Sequence, residues 1–469
     1  MKKTKIVCTI GPSTDDENIM RELMKNGMDV ARFNFSHSDH SVHKARFETV
    51  CKLREELGVN IATLLDTKGP EVRLKNFKDH KPVTIKDGDT FTLTTREVEG
   101  DETICSITFP QLPKDVSVGT RILINDGNIE LKALRVDNTD IVCEVIHGGV
   151  VSDHKGINVP DVNLSMPYIS DADMSDLEFG AKMGFDYIAA SFVRTGADVI
   201  YLRKFTQSLG WFNPRIIAKI ENAQGVANID EILDAADGIM VARGDMGVEI
   251  PFEQIPAIQK ELIRKAYNAG KNVITATQML ESMITNARPT RAEITDVANA
   301  IYDGTTGIML SGETANGDYP LEAVQTMVRI AERAEKDIDY VGRLQKTGAR
   351  LPQEQDTTTS ICHATCTVAT DLNAAAIIPV SMSGFTSGMV ARFKPNCPII
   401  ACTTSRLVWR QMNLQWGVTP LLIAEENTAE DLFREAVKAA ENAGLIKKGD
   451  KVVLTAGMPL GIPGRTNML

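Results

Sequence analysis

The chain has 469 residues, of which 43% are hydrophobic and 24% are charged, and its net charge is −11 at pH 7. A single hydrophobic core rarely supports so many residues, so two or three domains are expected. The negative charge argues against a nucleic-acid-binding protein, and no apolar run approaches the roughly 20 residues that a membrane helix needs.

The first elements of the chain alternate between strand and helix patterns. The opening residues run directly into a strand-like stretch without a signal-peptide pattern, which indicates a cytoplasmic location. Strands are predicted at Lys5–Ile10, Asp29–Phe35 and Ile61–Asp66, and helices at Asp15–Asn26 and His43–Leu57. From residue 71 to residue 167 the sequence has short β-rich segments between turn residues, which predicts an inserted all-β domain.

The alternation resumes after residue 167. A helix is predicted at Asp176–Met183, and five further strands are predicted at Tyr187–Phe192, Arg215–Glu221, Gly238–Ala242, Asn272–Ala276 and Gly307–Leu310. Eight β/α units favour a closed (β/α)8 TIM barrel, formed by residues 1–70 and 168–342, over an open doubly wound sheet. The inserted domain, residues 71–167, is expected to be a small β-barrel that acts as a lid.

The last part of the chain has its own strand pattern. Residues 343–359 are polar, contain Gly, Pro and a Thr triplet, and are interpreted as a linker. Strands are predicted beyond it at Ala375–Val380, Ile399–Thr403, Val418–Ile423 and Lys451–Thr455. This pattern predicts a separate C-terminal α/β domain with an open, mostly parallel sheet over residues 343–469. The eight cysteines form no C-x-x-C pair, so reduced, buried thiols are expected.

Charged residues at the ends of two predicted strands carry the clearest chemical signal. Lys219 and Glu221 are two residues apart, so they point to the same side of their strand, and Asp245 follows the next strand. Barrel active sites lie at the carboxyl ends of the strands. One ammonium beside two carboxylates suits a divalent cation shared with a phosphate or an enolate oxygen. The alternative is a salt-bridge network that only stabilises the barrel.

Two further segments at the predicted rim suit a binding site. In the run 32–37, Arg32, Asn34 and Ser36 share one face, which suits phosphate and a monovalent cation. A half-buried strand with a solvated face would have the same pattern. The octapeptide 66–73 leaves the third strand through a Gly-Pro turn, and Arg73 could contact a nucleotide when the lid closes. A simple turn is the alternative there.

A third segment, residues 381–387, follows a strand and opens a helix in the C-terminal domain. Its hydroxyl and N–H groups are similar to a phosphate-binding nest at a helix N-terminus, and ordinary helix capping is an equal competitor. No Walker A or G-x-G-x-x-G motif occurs, so neither a P-loop ATPase nor a Rossmann dehydrogenase is indicated.

Eight sequence blocks together resemble one enzyme family. In chain order they are TIGPST, ARFNFSH, LLDTKGPEVR, AKIEN, IMVARGDMGVEIP, TATQMLESM, RPTRAE and IMLSGETANGDYPLEAV. These blocks, with the insertion after the third strand, resemble pyruvate kinase over nearly the whole chain. The resemblance implies an enzyme that transfers phosphate from phosphoenolpyruvate to ADP, giving pyruvate and ATP in glycolysis.

The resemblance also implies roles for individual residues. Lys219 would stabilise the migrating phosphoryl group, Arg32 would bind the phosphate, and Thr277 would serve protonation of the enolate. Mg²⁺ or Mn²⁺ would be held by Glu221 and Asp245. The implied catalytic residues are Lys219, Thr277 and Arg32. The implied substrate-binding residues are Arg32, Lys219, Gly244, Asp245 and Thr277.

The same resemblance implies a second cation, K⁺, and further ligands. Glu71 is the residue type found in potassium-dependent members. The implied K⁺ ligands are Asn34, Ser36, Asp66 and Thr67. The implied nucleotide-binding residues are Arg73, Lys155 and His37. The implied effector-binding residues, for a sugar phosphate or a nucleotide, are Ser381, Ser383, Gly384 and Thr386.

The family is commonly a homotetramer, and a few positions of this chain depart from its pattern. Ser38, Asn125 and Ala172 replace residues that are common in the family, and Phe385 lies where some members have a basic residue. The chain stops at Leu469, before the family's usual last strand, so a less firmly anchored effector loop is expected.

Two other functions are weighed against the kinase. A magnesium-dependent aldolase or lyase acting on α-keto acids would also bind a pyruvate enolate through Mg²⁺ and carboxylates. A catalytically silent effector-sensing protein is the third reading, and the intact catalytic residues argue against it. Lys155, Arg73 and the inserted lid favour the kinase, because a lyase has no nucleotide to enclose.

Overall fold

The computed structural model of the chain describes residues 2–350, 356–426, 428–459 and 464–469. Eight parallel strands close into a barrel, and each pairs with its neighbours in chain order. The barrel strands are Lys5–Thr9, Val30–Asn34, Ala62–Asp66, Tyr187–Ala190, Arg215–Ile220, Gly238–Ala242, Asn272–Ala276 and Gly307–Leu310. The predicted (β/α)8 barrel is therefore confirmed.

Helices follow the barrel strands. They are Glu17–Lys25, His40–Leu57, Asp171–Met183, Gly196–Ser208, Ala223–Ala227, Ile229–Ala235, Arg243–Glu249, Ile255–Asn268, Arg291–Asp303, Gly312–Ala315 and Pro320–Lys336. Two of them begin earlier than the hydrophobic pattern predicts, because capping residues precede that pattern. Asp39 accepts hydrogen bonds from Ser41 N and Val42 N, and Ser170 forms a capping box with Asp173.

Apolar side chains fill one end of the barrel interior. This buried cluster includes Val7, Leu64 and Ile217 from three strands, and Leu414 of the C-terminal domain joins it. Alternate residues of a barrel strand face the interior, so the inward face continues toward the carboxyl ends of the strands. The polar residues that continue it are Thr9, Arg32, Asp66, Lys219 and Glu221. The apolar layers thus pack beneath a polar rim that lies at the carboxyl ends of the strands.

The inserted domain is built almost entirely from strands. They are Val72–Arg73, Val83–Ile85, Thr90–Thr94, Ile104–Ser106, Arg121–Ile124, Ile129–Val136, Asp140–His147, Gly149–Val151 and Gly156–Asn158, with one helical turn at Leu112–Asp115. Seven of these strands form one sheet, and an antiparallel bridge between Leu74 and Ile107 joins its two edges. The sheet therefore curls into the small barrel that the sequence predicts.

The C-terminal domain contains an open sheet of four parallel strands, as predicted. Their spatial order is Val418–Leu422, Ile399–Thr403, Ala376–Val380 and Val452–Ala456. Its helices are Tyr340–Arg350, Thr357–Asp371, Phe385–Arg392, Arg406–Gln411 and Ala429–Asn442. The linker prediction for residues 343–359 is wrong at 343–350 and 357–359, which are helical, and residues 351–355 lie outside the described residues. Tyr340 and Leu344 are buried, so the first helix packs against the domain instead of crossing solvent.

Short 3₁₀ helices complete the secondary structure at Pro12–Thr14, Lys78–His80, Phe252–Gln254, Glu281–Ile284 and Met412–Leu414. Among the described residues, no helix is both long and apolar enough to cross a membrane. All eight cysteines are free thiols, and burial raises the pKa of Cys8 and Cys366 well above the ordinary value. These thiols therefore stay protonated near neutral pH.

Lys394 joins the C-terminal domain to the barrel from a buried position. Its Nζ atom donates hydrogen bonds to Gly304 O at 2.7 Å and to Thr305 O at 3.3 Å. The same atom lies 4.7 Å from the centroid of the Trp416 ring. Burial lowers the pKa of Lys394 from its ordinary 10.5 to about 7.

We expect Lys394→Met to change the pH dependence of stability. Arg343 and Lys3 add to the lowering of the lysine pKa, whereas Glu335 opposes it. Between about pH 7 and pH 10.5 the unfolded lysine holds a proton that the buried amine has lost. The free energy of unfolding of the wild type should therefore rise with pH relative to the variant. Thermal unfolding midpoints of the two proteins, measured across this pH range, test the prediction. Parallel pH profiles of the midpoints would contradict it.

Candidate active site

A cleft of about 1040 Å³ lies between the carboxyl ends of the barrel strands and the lid. Most residues that the sequence assigns to catalysis, metal binding and nucleotide binding line it together. They are Arg32, Asn34, Ser36, His37, Arg73, Lys155, Lys219, Glu221 and Asp245. Their spread over the chain, from residue 32 to residue 245, shows that the fold assembles this site from distant segments.

Lys219 lies at the centre of a buried ion-pair network. Its Nζ atom is 3.1 Å from Asp66 Oδ1 and 2.9 Å from Glu221 Oε1, and it donates to Ser191 Oγ at 2.7 Å. Burial would lower the pKa of Lys219, but the attraction of Asp66 and Glu221 raises it above its ordinary value. The lysine is therefore a permanent cation that is 9% exposed, facing the cleft.

Arg32 places a second cation beside the first. Its Nε atom donates to Asp66 Oδ2 at 2.6 Å, and its Nη1 atom donates to Thr9 Oγ1 at 2.9 Å. Burial raises the pKa of Asp66, but Arg32 and Lys219 together lower it below the ordinary value. One carboxylate thus fixes two cations at adjacent points of the rim, an arrangement that suits an anion with several oxygens.

Glu221 and Asp245 provide acidic oxygens next to these cations. Glu221 Oε2 accepts from Phe192 N at 2.6 Å, whereas the buried Oε1 atom accepts no well-directed hydrogen bond despite its contact with Lys219. Burial raises the pKa of Glu221 to about 7, and the nearby charge of Asp245 adds to that shift. Asp245 itself is exposed to the cleft. A buried carboxylate beside an exposed one fits a divalent cation, which would share Glu221 Oε1 with Lys219.

The described part of the chain contains no group of three or more His, Cys, Asp or Glu side chains arranged around a metal. A cation held by Glu221 and Asp245 would therefore take its other ligands from substrate and water, as Mg²⁺ often does.

The residues assigned to K⁺ lie at the neighbouring ends of the second and third strands. Asn34 and Asp66 are register partners, and Thr67 follows directly. Asn34 Oδ1 accepts from Ser36 N at 3.2 Å, which bends the chain around this corner. Amide, hydroxyl and carboxylate oxygens fit a hard monovalent cation, although both Asp66 oxygens also serve Arg32 and Lys219.

Thr277 and Gly244 meet at the opposite side of the rim. A Cβ atom on Gly244 would come within 2.8 Å of Thr277 Cγ2, so only glycine allows this approach. Thr277 and Gln278 both have positive φ angles, 75° and 55°, a backbone strain that is frequent at functional sites. Neither Thr277 nor Gly244 lines the described cleft directly.

Arg243 holds the strained turn in place, and no sequence motif assigns a role to this residue. Its Nη2 atom donates to Thr277 O at 2.6 Å, and its Nη1 atom donates to Asp296 Oδ1 at 2.7 Å. These partners are 34 and 53 residues away in the chain. An arginine directly before the Gly-Asp pair is the local signal, but its direction depends on contacts that the sequence alone does not show.

Asp173 is a second residue that the sequence did not single out. Its Oδ1 atom accepts hydrogen bonds at 3.1 Å from both Lys68 N and Gly69 N, at the turn where the chain leaves the barrel for the lid. Gly69 has a φ of 77°, and a Cβ atom there would come within 2.8 Å of Ser191 and Phe192. Asp173 thus fixes the base of the lid, and the glycine is required by both its conformation and its neighbours.

The lid residues assigned to the nucleotide lie across the cleft from the two cations. Arg73 is paired with Glu71 through bonds of 2.8 Å and 2.5 Å, and it donates to His154 O at 2.8 Å. Lys155 follows directly, and its carbonyl accepts from Leu74 N at 2.9 Å. A hydrogen bond of 2.8 Å from Asn158 Nδ2 to Glu249 Oε1 connects the lid strand Gly156–Asn158 to the barrel.

The segment 381–387 forms a separate cavity of about 100 Å³ at the carboxyl ends of the C-terminal strands. Gly384 precedes helix Phe385–Arg392 with a φ of 74°, and no side chain caps this helix. The capping alternative is therefore not observed. Thr386 Oγ1 lies 2.9 Å from Thr466 Oγ1, so the tail contacts the loop despite the weak anchoring that the sequence suggested. Residues 460–463 of the glycine-rich tail lie outside the described residues.

Two family profiles match the chain. "Pyruvate kinase, barrel domain" matches residues 1–324, and "Pyruvate kinase, alpha/beta domain" matches residues 359–469. Similar relatives include a pyruvate kinase of Clostridium perfringens, which is 46% identical over 100% of this chain and 99% of its own length. A pyruvate kinase of Geobacillus stearothermophilus is 48% identical over 100% of this chain and 80% of its own length.

A solved structure supports the same similarity. The crystal structure of a pyruvate kinase from Cryptosporidium parvum is 39% identical, with a TM-score of 0.93. The match covers 98% of this chain and 94% of that chain. Barrel, lid and C-terminal domain thus have counterparts in one solved protein.

Proposed function

The chain belongs to the pyruvate kinase family and is a phosphotransferase, and we propose that its barrel rim transfers phosphate from phosphoenolpyruvate to ADP. The observation that carries this assignment of the site is the pair of cations, Lys219 and Arg32, fixed by one buried carboxylate. Phosphoryl transfer needs positioning and spread positive charge more than covalent help.

The residues of the chain suit each part of that reaction. Arg32 binds the phosphate of phosphoenolpyruvate, and Lys219 stabilises the phosphoryl group after its bond to the enol oxygen breaks. The group forms a new bond to the terminal phosphate of ADP, which Arg73 and Lys155 hold from the lid and His37 from the barrel rim. The remaining enolate takes a proton at carbon, directly or through water, from the side where Thr277 lies, and becomes pyruvate.

We propose Glu221 and Asp245 as the ligands of Mg²⁺ or Mn²⁺, because both carboxylates line the cleft beside the two cations. When bound, the dication would supply charge to the substrate carboxylate and enolate oxygen. Asn34, Ser36, Asp66 and Thr67 are proposed to hold K⁺, which would add charge next to Arg32. Gly244 and Asp245 are proposed to bind the substrate carboxylate through their backbone N–H groups.

A coupled assay with phosphoenolpyruvate and ADP tests the proposal. ATP should form with Mg²⁺ and K⁺ present, and the rate should fall when K⁺ is replaced by Na⁺. Absence of ATP under both conditions would eliminate the kinase. Cleavage of an α-keto acid without ADP would instead favour the aldolase or lyase, which the lid residues Arg73 and Lys155 disfavour.

We propose that the loop cavity, lined by Ser381, Ser383 and Thr386, binds a sugar-phosphate or nucleotide effector. Its position at the ends of adjacent parallel strands, together with the uncapped helix that starts after Gly384, supports this assignment. A cytoplasmic homotetramer is proposed from the family resemblance, and light scattering on the purified protein would test the oligomeric state.

We expect Ser383→Ala to alter the response to the effector without changing the basal rate. The substitution removes one hydroxyl from the loop but keeps the backbone carbonyl, which accepts from Arg215 Nη2 at 2.6 Å. Titration of activity with sugar phosphates and nucleoside monophosphates measures the shift, which should be about tenfold in activation constant for a lost hydrogen bond to a charged group. Ser208→Ala, at an exposed serine of the barrel, is the matched control. Unchanged activation in Ser383→Ala would exclude the loop as the effector site.

A further inference from the structure

The body of the lid contacts the barrel at a point away from its two linkers. The Nδ2 atom of Asn158, in the lid strand Gly156–Asn158, donates to Oε1 of Glu249 at 2.8 Å. Glu249 is the last residue of the barrel helix Arg243–Glu249, and both partners are half-buried and line the active-site cleft. The bond therefore joins the two domains at the wall of the cleft.

Other side chains hold the two linkers. Asp173 Oδ1 accepts from Lys68 N and Gly69 N at 3.1 Å where the chain enters the lid. Arg194 Nη1 donates to Leu164 O at 3.1 Å where the chain returns to the barrel. Contacts at a hinge fix the axis of a domain rotation, whereas a contact beyond the hinge limits its angle. The bond at the cleft wall is a contact of the second kind.

The lid strand that ends at Asn158 also positions both lid residues assigned to the nucleotide. Lys155 directly precedes this strand, and Gly156 is the register partner of Arg73. In addition, Leu74 N donates to Lys155 O at 2.9 Å, so the segments that carry the two cations are bonded to each other. A shift of Asn158 would therefore move Lys155 and Arg73 together.

The barrel partner lies on the helix that carries the proposed metal ligand. Asp245 is in the first turn of helix Arg243–Glu249, and Glu249 is four residues later on the same face. Gly127, in a turn of the lid, also comes near this helix, since a Cβ atom there would lie 3.6 Å from Val248 Cγ1. The lid thus approaches two successive residues of this helix.

The surroundings of the Glu249 carboxylate favour this contact. Burial raises the pKa of Glu249, the hydrogen bond from Asn158 opposes that rise, and the charges of Asp161 and Asp245 add to it. A half-buried carboxylate near two others gains from any donor that reaches it. The Asn158 amide is such a donor, so Glu249 favours the lid position that brings this amide to the barrel.

We propose that Glu249 is a positioning residue that sets the lid over the nucleotide site. Through Asn158 it holds Lys155 and Arg73 where they face the phosphates of ADP, and its own carboxylate touches neither substrate. The affinity for ADP thus depends on a barrel residue outside the set assigned to the nucleotide. This inference rests on the proposed function, because it concerns the nucleotide that the transfer requires.

Steady-state kinetics and calorimetric titration of the full-length protein with ADP test the proposal. Glu249→Ala should raise the KM and the Kd for ADP by about tenfold, the usual effect of losing a hydrogen bond to a charged group. The KM for phosphoenolpyruvate should stay close to that of the wild type, because barrel residues bind it. Glu249→Gln keeps an oxygen that accepts from Asn158 and should restore most of the affinity for ADP. General destabilisation of the protein would not separate the two KM values.

Reversal of the pair tests the contact itself. Asn158→Asp alone places two carboxylates at the contact and should weaken ADP binding at least as much as Glu249→Ala. The double variant Asn158→Asp/Glu249→Gln has the same net charge as the wild type and again sets a donor against an acceptor, so it should recover the affinity. Glu253→Ala, at an exposed glutamate that does not line the cleft, is the matched control and should behave as the wild type does.

Three results would overturn the proposal. They are an unchanged affinity for ADP in Glu249→Ala, equal rises of both KM values, and a double variant that binds ADP no better than Asn158→Asp. If Glu249→Ala lowers the thermal midpoint, Asn158→Ala gives the same test from the lid side. Calorimetry needs no turnover, so a wild type that binds ADP but forms no ATP would refute the transfer reaction, and the variants would still decide the role of Glu249.

Discussion

Replacing Lys219 with methionine should lower kcat for ATP formation by about 10²–10³-fold, the usual cost of removing one transition-state donor. The ammonium is 2.9 Å from Glu221 Oε1 and 3.1 Å from Asp66 Oδ1 and donates to Ser191 Oγ at 2.7 Å, so three groups of the site fix its position. Methionine retains most of the length of the side chain and removes its charge and donors. The KM for phosphoenolpyruvate should change much less than kcat if the charge acts mainly on the phosphoryl group in transfer.

Stability must be measured for the same variant. Without Lys219, the buried carboxylates of Asp66 and Glu221 lose their common cation, and such uncompensated charges usually destabilise a protein. A lower thermal midpoint is therefore expected together with the lower rate. Lys271→Met, at a half-buried lysine whose Nζ donates to Ala236 O at 2.7 Å, is the matched control and should keep its rate. A folded Lys219→Met protein with the parent kcat would contradict the role of this lysine.

Sequence periodicity was sufficient to predict the strands of the barrel. Buried strands of a closed barrel are continuous apolar runs, and several runs here are followed directly by a polar residue, as Arg215–Ile220 is by Glu221. Helix starts were less accurate because a cap lies outside the apolar pattern. The helix predicted from His43 begins at His40, directly after its cap Asp39.

The interpretation of the rim as either ion-pair network or binding site was too narrow. Lys219, Asp66 and Arg32 do form a buried network, and the same network holds two cations toward the cleft. The roles of Arg243 and Asp173 were missed because the groups they contact are distant in the chain. Arg243 and Asp173 act on Thr277 and Gly69 through contacts 34 and 104 residues away, and no local pattern encodes such contacts.

The error at residues 343–350 has a different physical origin. Polar residues and a glycine made this segment resemble a linker, but the helix Tyr340–Arg350 needs few apolar residues to pack on one side. Tyr340 and Leu344 are four residues apart and are both buried, which is one face of a helix. Because Arg343 and Lys346 lie on the same helix, the supposed linker places cations beside the cavity between the barrel and the C-terminal domain.

The second large effect is expected for Asp245→Ala, which should reduce turnover by about a hundredfold or more through loss of the divalent cation. Asp245 is exposed to the cleft, so its removal should leave the thermal midpoint close to that of the wild type. The affinity for Mn²⁺, measured by electron paramagnetic resonance without substrates, should fall by at least about tenfold, because one of the two proposed protein ligands is lost.

The two readouts together assign the role of Asp245. Asp234→Ala, at an exposed aspartate of helix Ile229–Ala235, removes the same charge away from the cleft and should change neither rate nor Mn²⁺ affinity. If Asp245→Ala loses turnover but binds Mn²⁺ as tightly as the wild type, the carboxylate is not a metal ligand. Glu221 would then have to hold the cation without a second carboxylate. If Asp245 is a metal ligand, the rate of Asp245→Ala should recover in part at high Mg²⁺, because a higher metal concentration fills a weakened site.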